Sequence, residues 1–420
     1  MKRNFWKIVK RAGPERLGPG LITGAADDDP SGIATYSQAG AQFGFGMLWT
    51  VVFTFPLMTA IQMISARIGH VTHHGLAANI KQAFPRWVTL GIVLLLLVAN
   101  TLNISADIAA MGEALQLLVG GSDAIYSITF GLFCLVLQVF LPYHSYVRWL
   151  KWLTLALLSY VAVTFMLEID WRKVAWSVIA PPLVLNKQSL LMIIAVFGTT
   201  ISPYLFFWQA AQEMEDVRGA GPLTRAAVRH HLRRIQWDTN VGMAVSNLIA
   251  FFIILSTAVT LHKQSGQGIA TAAQAAEALR PLAGNFTFFI FSLGIIGTGL
   301  LAVPVLAGSA AYAAAEAMGF EGSLSARLEH GEGKGFYSIV ALSTLGGVAL
   351  TFTPMDAVEE LFWAAVLNGV IAVPIMIVMM LLAGRRDIMG EHTVNGRLRL
   401  LGWLSTAVMT AAVLGMLVTN

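Results

Sequence analysis

Eleven apolar segments follow one another along almost the whole of this 420-residue chain. They lie at about 17–41, 45–66, 88–117, 123–142, 150–167, 189–212, 238–261, 285–315, 336–353, 357–383 and 400–418. A membrane-spanning helix needs about 20 apolar residues, and these segments reach or approach that length. Only 12% of the residues are charged, against about 25% in a typical soluble protein. The chain is therefore predicted to be an all-α integral membrane protein.

The connections between the segments are short, so we expect one transmembrane domain over 1–420. With the N-terminus in the cytoplasm, 22 of the 27 lysines and arginines fall on the cytoplasmic side, in agreement with the positive-inside rule. We therefore expect a multi-pass protein of the cell (plasma) membrane, with a cytoplasmic tail at 1–16 and the C-terminus outside.

The lipid bilayer is its expected surrounding, and neither a nucleic-acid partner nor an obligatory protein partner is expected. The single cysteine, Cys134, excludes disulfides and thiolate metal sites.

Two of the segments contain residues that break a helix in mid-membrane. The first reads GPGLITGAADDDPSGIATYSQAGAQFG around Pro30, and the sixth reads AVFGTTISPYLFFWQ around Pro203. Proline removes a backbone donor, and unwound backbone at this depth is tolerated only where it lines a cavity. Because the two segments are five helices apart, an odd offset, they predict inverted repeats with an ion or substrate site between them. The repeats are expected at 17–167 and 189–383, followed by an additional helix at 400–418.

Three acidic residues precede the first proline, and ionisable groups inside a membrane are costly and by default functional. Asp27, Asp28 and Asp29 cannot all be ionised in one dry site, and a bound cation would relieve their repulsion. Asp29 lies directly before Pro30, so we expect it to face the cavity, with one neighbour capping a half-helix or facing water. The alternative is that all three acids cap the second half-helix.

The sixth segment offers oxygen atoms close to its own proline. Hydroxyls of Thr199, Thr200 and Ser202, together with unwound carbonyls, could form an all-oxygen surface. Oxygen ligands suit hard cations such as Mg²⁺, Ca²⁺ or Mn²⁺. The alternative is that these hydroxyls only satisfy the backbone carbonyls freed by Pro203.

Further polar side chains lie in other apolar segments and could line a route for an ion or hold its water. They are Asp107 in the third segment, Gln209 after the second break, Asn247 in the seventh segment and Asn368 in the tenth. Taken singly, each such residue is more often a helix–helix hydrogen bond than a ligand. No histidine falls in the broken segments, so a histidine metal cage is not expected there.

The motifs GPG, DPSG and GAQFGFGMLW in the first two segments, ARIGHVTHHGLA after the second and TISPY in the sixth resemble those of the NRAMP family of divalent-metal transporters. The likeness runs in order from about residue 18 to 385. It implies a LeuT-type fold, in which helices one to five and six to ten form inverted repeats and one or two helices follow. It also implies that Asp29 binds the metal and that the backbone carbonyl of Thr199 is a ligand.

The chain departs from the family pattern at the positions that select the ion. Gly32 stands where the family has an asparagine, and Ser202 stands where it has a methionine. Loss of the thioether removes the ligand that favours soft transition metals, and Mg²⁺ gains little from sulfur. The expected site has harder ligands, a larger volume and more water, which suits an ion that keeps several of its water ligands.

Three further departures concern proton transfer. Tyr204 and Gln209 replace two histidines, and Ala110 replaces the glutamate of helix three, while Asp107 is kept. The pattern resembles the NRAMP-related magnesium transporters, and this resemblance implies an alternating-access carrier of Mg²⁺ and Mn²⁺ without proton coupling. The metal ions are then substrates, and neither a cofactor nor an enzymatic reaction is expected. The expected metal-site residues are Asp29, Gly32, Thr199 and Ser202, then Asp28, Asn247 and Asn368; Asp107, Tyr204 and Gln209 are expected along the permeation path.

Other functions remain open on the sequence. A proton-coupled Mn²⁺/Fe²⁺ transporter would use Asp29 or Asp107 as its proton carrier. A Na⁺-driven amino-acid symporter shares the fold, but three acids at the first break argue against an anionic substrate group. An intramembrane aspartyl protease would pair Asp29 with Asp107, although no Gly-x-Gly-Asp-like context surrounds Asp107.

Overall fold

The computed structural model describes residues 18–141, 150, 152–182, 186–217, 225–262, 268–320, 322–323, 333–353 and 355–418. The expected tail at 1–16 lies outside these residues. The α-helices are α1 (Pro19–Asp27), α2 (Pro30–Phe43), α3 (Leu48–Thr72), α4 (Leu76–Ala83), α5 (Arg86–Val119), α6 (Asp123–Phe140), α7 (Leu158–Thr164), α8 (Trp171–Ile179), α9 (Lys187–Thr200), α10 (Pro203–Val217), α11 (Arg225–Thr260), α12 (Ala272–Ala276), α13 (Arg280–Ala283), α14 (Thr287–Met318), α15 (Lys334–Leu350), α16 (Ala357–Ala383), α17 (Arg386–Met389) and α18 (Gly396–Val418). Short 3₁₀ helices lie at Gly44–Met47, Leu153–Leu157, Glu277–Leu279, Gly284–Phe286 and Gly390–His392.

Each of the eleven predicted segments contains helix. Within the described residues, eight helical runs are long and apolar enough to cross a membrane. The first of these runs, Pro30–Thr72, takes in both α2 and α3 and therefore covers parts of two predicted segments. The fifth and ninth segments form the shorter apolar helices Leu153–Thr164 and Lys334–Leu350. The prediction of an all-α membrane fold is confirmed.

The helices extend further than hydropathy indicates at the polar connection between the sixth and seventh segments. The predicted segments end at 212 and begin again at 238, yet α10 continues to Val217 and α11 begins at Arg225. Arg234 on α11 reaches back to α10, with its Nη2 atom 3.4 Å from Oε2 of Glu213 and 2.9 Å from Oδ2 of Asp216. A hydropathy profile shows where a helix leaves the membrane interior, but it does not show where the helix ends. Ion pairs between helices can stabilise further helical turns outside the membrane.

Both predicted helix breaks are present. Between α1 and α2, Asp28 has φ −84° and ψ 52°, and Pro30 is the first residue of α2. Between α9 and α10, Ile201 has φ −114° and ψ 60°, and Pro203 is the first residue of α10. In each case the proline starts a helix, where its missing N–H leaves no hydrogen bond unmade.

The helices pack in the order expected of inverted repeats. Helices five positions apart in the count of membrane segments contact each other: α3 packs on α11, α5 on α14, and α6 on α15. The broken helices meet in the same way, since α1 contacts α10 and α2 contacts α9. The limits of the repeats, 17–167 and 189–383, stay a prediction.

The short helix α1 lies against α11 with almost no space between the two backbones. A Cβ atom added to Gly24 would lie 2.4 Å from the carbonyl carbon of Gly242, and one added to Gly242 would lie 2.3 Å from the carbonyl oxygen of Gly20. Side chains at these positions would force the helices apart. The backbone N–H of Gly20 also donates to Oδ2 of Asp238 on α11, at 2.8 Å.

Candidate metal centre

Asp29 is placed by its position at the start of a helix that begins with proline. It is the N-cap of α2, and its Oδ1 atom accepts from the backbone N–H of Gly32 at 2.8 Å and from the Ser31 hydroxyl at 2.6 Å. An aspartate before a helix supplies an acceptor for backbone donors that have no partner within the helix. Its side chain is buried, so a carboxylate stands at the break in the interior of the bundle.

The second helix break contributes hydroxyl groups to the same place. Oγ1 of Thr199 lies 3.4 Å from Oγ of Ser31, and the Tyr204 hydroxyl lies 3.1 Å from Oδ2 of Asp29. The Tyr204 hydroxyl also lies 2.9 Å from the carbonyl oxygen of Ala26. Residues before and after each proline therefore meet, and every one of these polar contacts is made by oxygen.

Ser202 holds the backbone of the second break. Its hydroxyl lies 2.7 Å from the carbonyl oxygen of Thr199 and 3.0 Å from that of Gly198. The hydroxyl of Thr200 donates to the carbonyl of Val196. The Ser202 contact satisfies the Thr199 carbonyl, which Pro203 cannot pair because it has no N–H, as the alternative interpretation of these hydroxyls holds. A carbonyl oxygen has two lone pairs, so that of Thr199 retains one for a further ligand.

Gly32 faces the second break directly. A Cβ atom at this position would lie 3.2 Å from Oγ1 of Thr199, which is tighter than ordinary van der Waals contact. An asparagine here would project its amide toward Thr199. The glycine therefore allows the start of α2 to approach Thr199 this closely.

The neighbouring acids Asp27 and Asp28 turn away from Asp29 toward α11. The hydroxyl of Ser246 lies 2.6 Å from Oδ2 of Asp27 and 3.0 Å from Oδ1 of Asp28. Oδ1 of Asp27 has no hydrogen-bond partner among the described residues. Asp29 itself is the N-cap of α2, and its neighbour Asp28 is the C-cap residue of α1, the other half of the broken helix.

The two asparagines expected to hold water near the ion make hydrogen bonds between helices. Asn368 on α16 and Asn103 on α5 form a reciprocal amide pair, with N–O distances of 3.0 and 3.2 Å. The side-chain amide of Asn247 donates to the carbonyl of Val51 at 2.8 Å. Their predicted part in the metal site stays untested. The Asn368 amide is paired with Asn103, whereas the side-chain oxygen of Asn247 is buried without a hydrogen-bond partner among the described residues.

The residues expected along a permeation path are all buried. Neither carboxylate oxygen of Asp107 has a hydrogen-bond partner among the described residues, and this side chain is close enough to Asp29 to interact with it electrostatically. Gln209 on α10 donates to the hydroxyl of Thr239 on α11 at 2.9 Å, while its carbonyl oxygen is unpaired in the described part of the chain.

No group of three or more His, Cys, Asp or Glu side chains is arranged to hold a metal within the described residues. A cation at the two breaks would therefore meet one carboxylate, that of Asp29, together with neutral oxygens. Two useful residues were not singled out from the sequence. Ser31 lies in the DPSG motif itself, whereas Ser246 is one serine among several in apolar helices and carries no sequence signal.

A helical bundle whose two broken helices face each other across inverted repeats is a LeuT-type membrane protein. The family model described as Natural resistance-associated macrophage protein-like, Nramp, matches residues 20–419. The chain belongs to the NRAMP family. The resemblance inferred from the sequence motifs is confirmed.

Relatives and solved structures agree with this family. The divalent metal cation transporter MntH of Klebsiella pneumoniae (strain 342) is 26% identical over 298 residues, which cover 68% of each chain. MntH of Verminephrobacter eiseniae (strain EF01-2) is 27% identical over 291 residues, covering 67% of this chain and 64% of that protein.

Two solved structures share the fold. A crystal structure of the Eremococcus coleocola manganese transporter, bound to an aromatic bis-isothiourea substituted compound, matches with a TM-score of 0.77 at 17% identity and covers 97% of this chain and 86% of that chain. Mhp1, a nucleobase-cation-symport-1 family transporter in a closed conformation, matches with a TM-score of 0.61 at 12% identity, covering 95% and 92%. The expected LeuT-type fold is confirmed.

Proposed function

We propose that the chain is a secondary transporter that carries Mg²⁺ and Mn²⁺ across the membrane by alternating access. The observation that carries this proposal is the meeting of the two helix breaks, where the Asp29 carboxylate, the Ser31 and Tyr204 hydroxyls and the Thr199 side chain come together. The names of the relatives, divalent metal cation transporter and manganese transporter, support a divalent cation as substrate. Transport, rather than an enzymatic reaction, is the activity proposed.

The ligand chemistry supports a hard, partly hydrated ion. Asp29 would supply the negative charge, and the Thr199 carbonyl and the Ser202 hydroxyl would supply further oxygens. Neither sulfur nor imidazole is among these groups, so every proposed ligand is an oxygen, and retained water molecules would complete the coordination. Mg²⁺ dehydrates reluctantly and is bound through one or two carboxylates with several waters retained.

We propose that the remaining candidates, Asp28, Asn247 and Asn368, do not bind the ion directly. Asp28 accepts from Ser246, and the amide of Asn368 is paired with another helix. The side-chain N–H of Asn247 donates to Val51, while its side-chain oxygen has no partner among the described residues. Asn368 would have to exchange a protein hydrogen bond for a metal-bound water, whereas the Asn247 oxygen could accept from such a water without losing a contact. The proposed contribution of Asp28 and Asn368 is therefore the positioning of helices around the site, and that of Asn247 is to hold a metal-bound water.

Uncoupled transport is the proposed energetic mode. Tyr204, Gln209 and Ala110 stand where the family pattern has two histidines and a glutamate. An inside-negative potential would drive a divalent cation inward, since moving one charge through 100 mV is worth about 2.3 kcal/mol. We propose the plasma membrane as its location, with the N-terminus inside and the C-terminus outside.

A proton-coupled Mn²⁺/Fe²⁺ transporter is the second candidate, and one observation favours it. Asp107 is fully buried, and both of its carboxylate oxygens lack partners among the described residues. Burying a carboxylate without a hydrogen-bond partner costs free energy. A role in carrying protons would account for a carboxylate at this position despite that cost. This candidate would use Asp107 to take up and release the proton.

The test is ion influx into proteoliposomes that contain the purified full chain. Mg²⁺ and Mn²⁺ are supplied in turn, Ca²⁺ serves as comparator, and a pH-sensitive dye is read in the same vesicles. Entry of Mg²⁺ without acidification is the expected result. Entry of Mn²⁺ alone, accompanied by acidification, would replace this proposal by the second candidate.

A further inference from the structure

A cavity of about 370 Å³ lies between α3, α11 and α18, away from the two helix breaks. Arg67 is near the end of α3, Arg233 is in the first third of α11, and Arg397 is the second residue of α18. All three arginines line the cavity. The distribution of lysine and arginine predicts that these helix ends are cytoplasmic.

The cavity has a strong excess of positive charge. No aspartate or glutamate lines it, and the ion pairs found among the described residues do not include Arg67, Arg233 or Arg397. Nε of Arg67 donates to the carbonyl of His392 at 2.9 Å, which holds that guanidinium against the loop before α18. The side chains of Arg233 and Arg397 belong to exposed residues. Three guanidinium groups therefore face one space without an anion from the protein.

The rest of the lining is mostly apolar. Met63, Leu232, Leu398 and Leu401 contribute hydrocarbon surface to the same cavity. Trp237, which follows the lining residue Gln236 in α11, is 72% exposed. Tryptophan is enriched where a membrane meets water, since its ring suits the headgroup level.

We propose that this cavity binds an anionic phospholipid, with the headgroup phosphate on the three arginines and the start of an acyl chain on Met63, Leu398 and Leu401. Arginine binds phosphate oxygens through paired N–H donors. Basic pockets between membrane helices on the cytoplasmic side are suited to anionic headgroups. A free phosphate would use the arginines alone, whereas the apolar lining beside them fits the hydrocarbon of a lipid.

The test compares lipids added to the purified full chain in a neutral detergent. Dioleoylphosphatidylglycerol is expected to raise the midpoint of thermal unfolding by about 3 °C or more above the value in dioleoylphosphatidylcholine, because a ligand that binds only the folded state stabilises it. The double variant Arg233→Gln/Arg397→Gln is expected to lose at least half of this shift. Both side chains are exposed and unpaired with acids in the described part of the chain, so the variant should fold.

The matched control is Arg386→Gln/Arg399→Gln, which removes the same charge from exposed arginines outside the cavity. It is expected to keep the full shift. An equal loss in the two double variants would overturn the proposal in favour of general surface charge, as would an unchanged shift in the cavity variant. If inorganic phosphate alone reproduces the shift, the ligand is a free anion and the lipid assignment is wrong. None of these outcomes depends on which ion is transported.

Discussion

The hydroxyl of Tyr204, just after the second helix break, lies 3.1 Å from Oδ2 of Asp29, just before the second half of the first broken helix. The same hydroxyl lies 2.9 Å from the carbonyl oxygen of Ala26. Its one hydrogen is therefore shared between two acceptors on either side of the first break. A cation bound at Oδ2 of Asp29 would take over one acceptor and leave the hydroxyl to Ala26.

Replacement of Asp29 by asparagine separates its charge from its capping role. Asparagine is as good an N-cap as aspartate, so the stability of α2 should be kept. We expect Asp29→Asn to lower Mg²⁺ and Mn²⁺ influx by tenfold or more, the effect of losing about 1.4 kcal/mol of interaction with the ion. Proteoliposome influx and thermal unfolding measure the two effects.

The control for this change is Asp356→Asn at the N-cap of α16, where the aspartate is exposed and makes no capping hydrogen bond through its side chain. This variant should transport at the normal rate. Normal influx through Asp29→Asn as well would show that the metal site lies elsewhere.

Replacement of Ser202 by methionine tests the choice of ion. A thioether at the second break should favour softer cations, so Ser202→Met is expected to raise the preference for Mn²⁺ and Cd²⁺ over Mg²⁺. Competition of each ion for Mn²⁺ influx gives the preference. Ser202→Ala removes the hydroxyl without adding sulfur, and an equal shift in both variants would attribute the change to the lost hydroxyl.

Replacement of Asp107 by asparagine distinguishes the two candidate functions. An unpaired amide is less costly to bury than an unpaired carboxylate, so Asp107→Asn should raise the unfolding temperature. If transport is uncoupled, we expect Mg²⁺ influx at a fixed membrane potential to differ between the variant and the original protein by less than about threefold. Neither protein should acidify the vesicle interior. Loss of influx together with loss of an acidification signal would identify Asp107 as the proton carrier.

The amide pair between Asn103 and Asn368 should behave as a structural contact. Each single alanine variant leaves its partner unsatisfied and is expected to cost about 1–3 kcal/mol of stability. The double variant should cost less than the sum of the two, since both partners are removed together. Chemical unfolding of all four proteins gives the coupling. If Asn368→Ala lowers Mg²⁺ affinity while Asn103→Ala does not, Asn368 acts on the ion instead.

The sequence predicts the fold well because its strongest signals are physical requirements of the membrane. A proline beside polar residues in mid-membrane leaves few outcomes other than a broken helix, and both breaks are present at Pro30 and Pro203. The ends of α10 and α11 were less predictable. They depend on contacts between helices, such as Arg234 with Glu213, which a hydropathy profile does not contain.

The candidate site was predictable in its centre and less so around it. Asp29 and Thr199 follow from the position of the breaks and from the family pattern. The pairing of Asp27 and Asp28 with Ser246 depends on the rotation of α11 relative to α1, which no motif records. The partner of Asn368 likewise depends on the register between α5 and α16.

The close packing of α1 on α11 restricts how this end of the protein can move. Gly24 and Gly242 bring the two backbones into contact, Asp238 holds the first turn of α1, and Ser246 holds its last turn through two carboxylates. α1 is thus held along its whole length, and it cannot move independently of α11 while these contacts last. With these contacts in place, α1 and α11 form one moving unit, and a conformational change that displaced α1 would also displace α11.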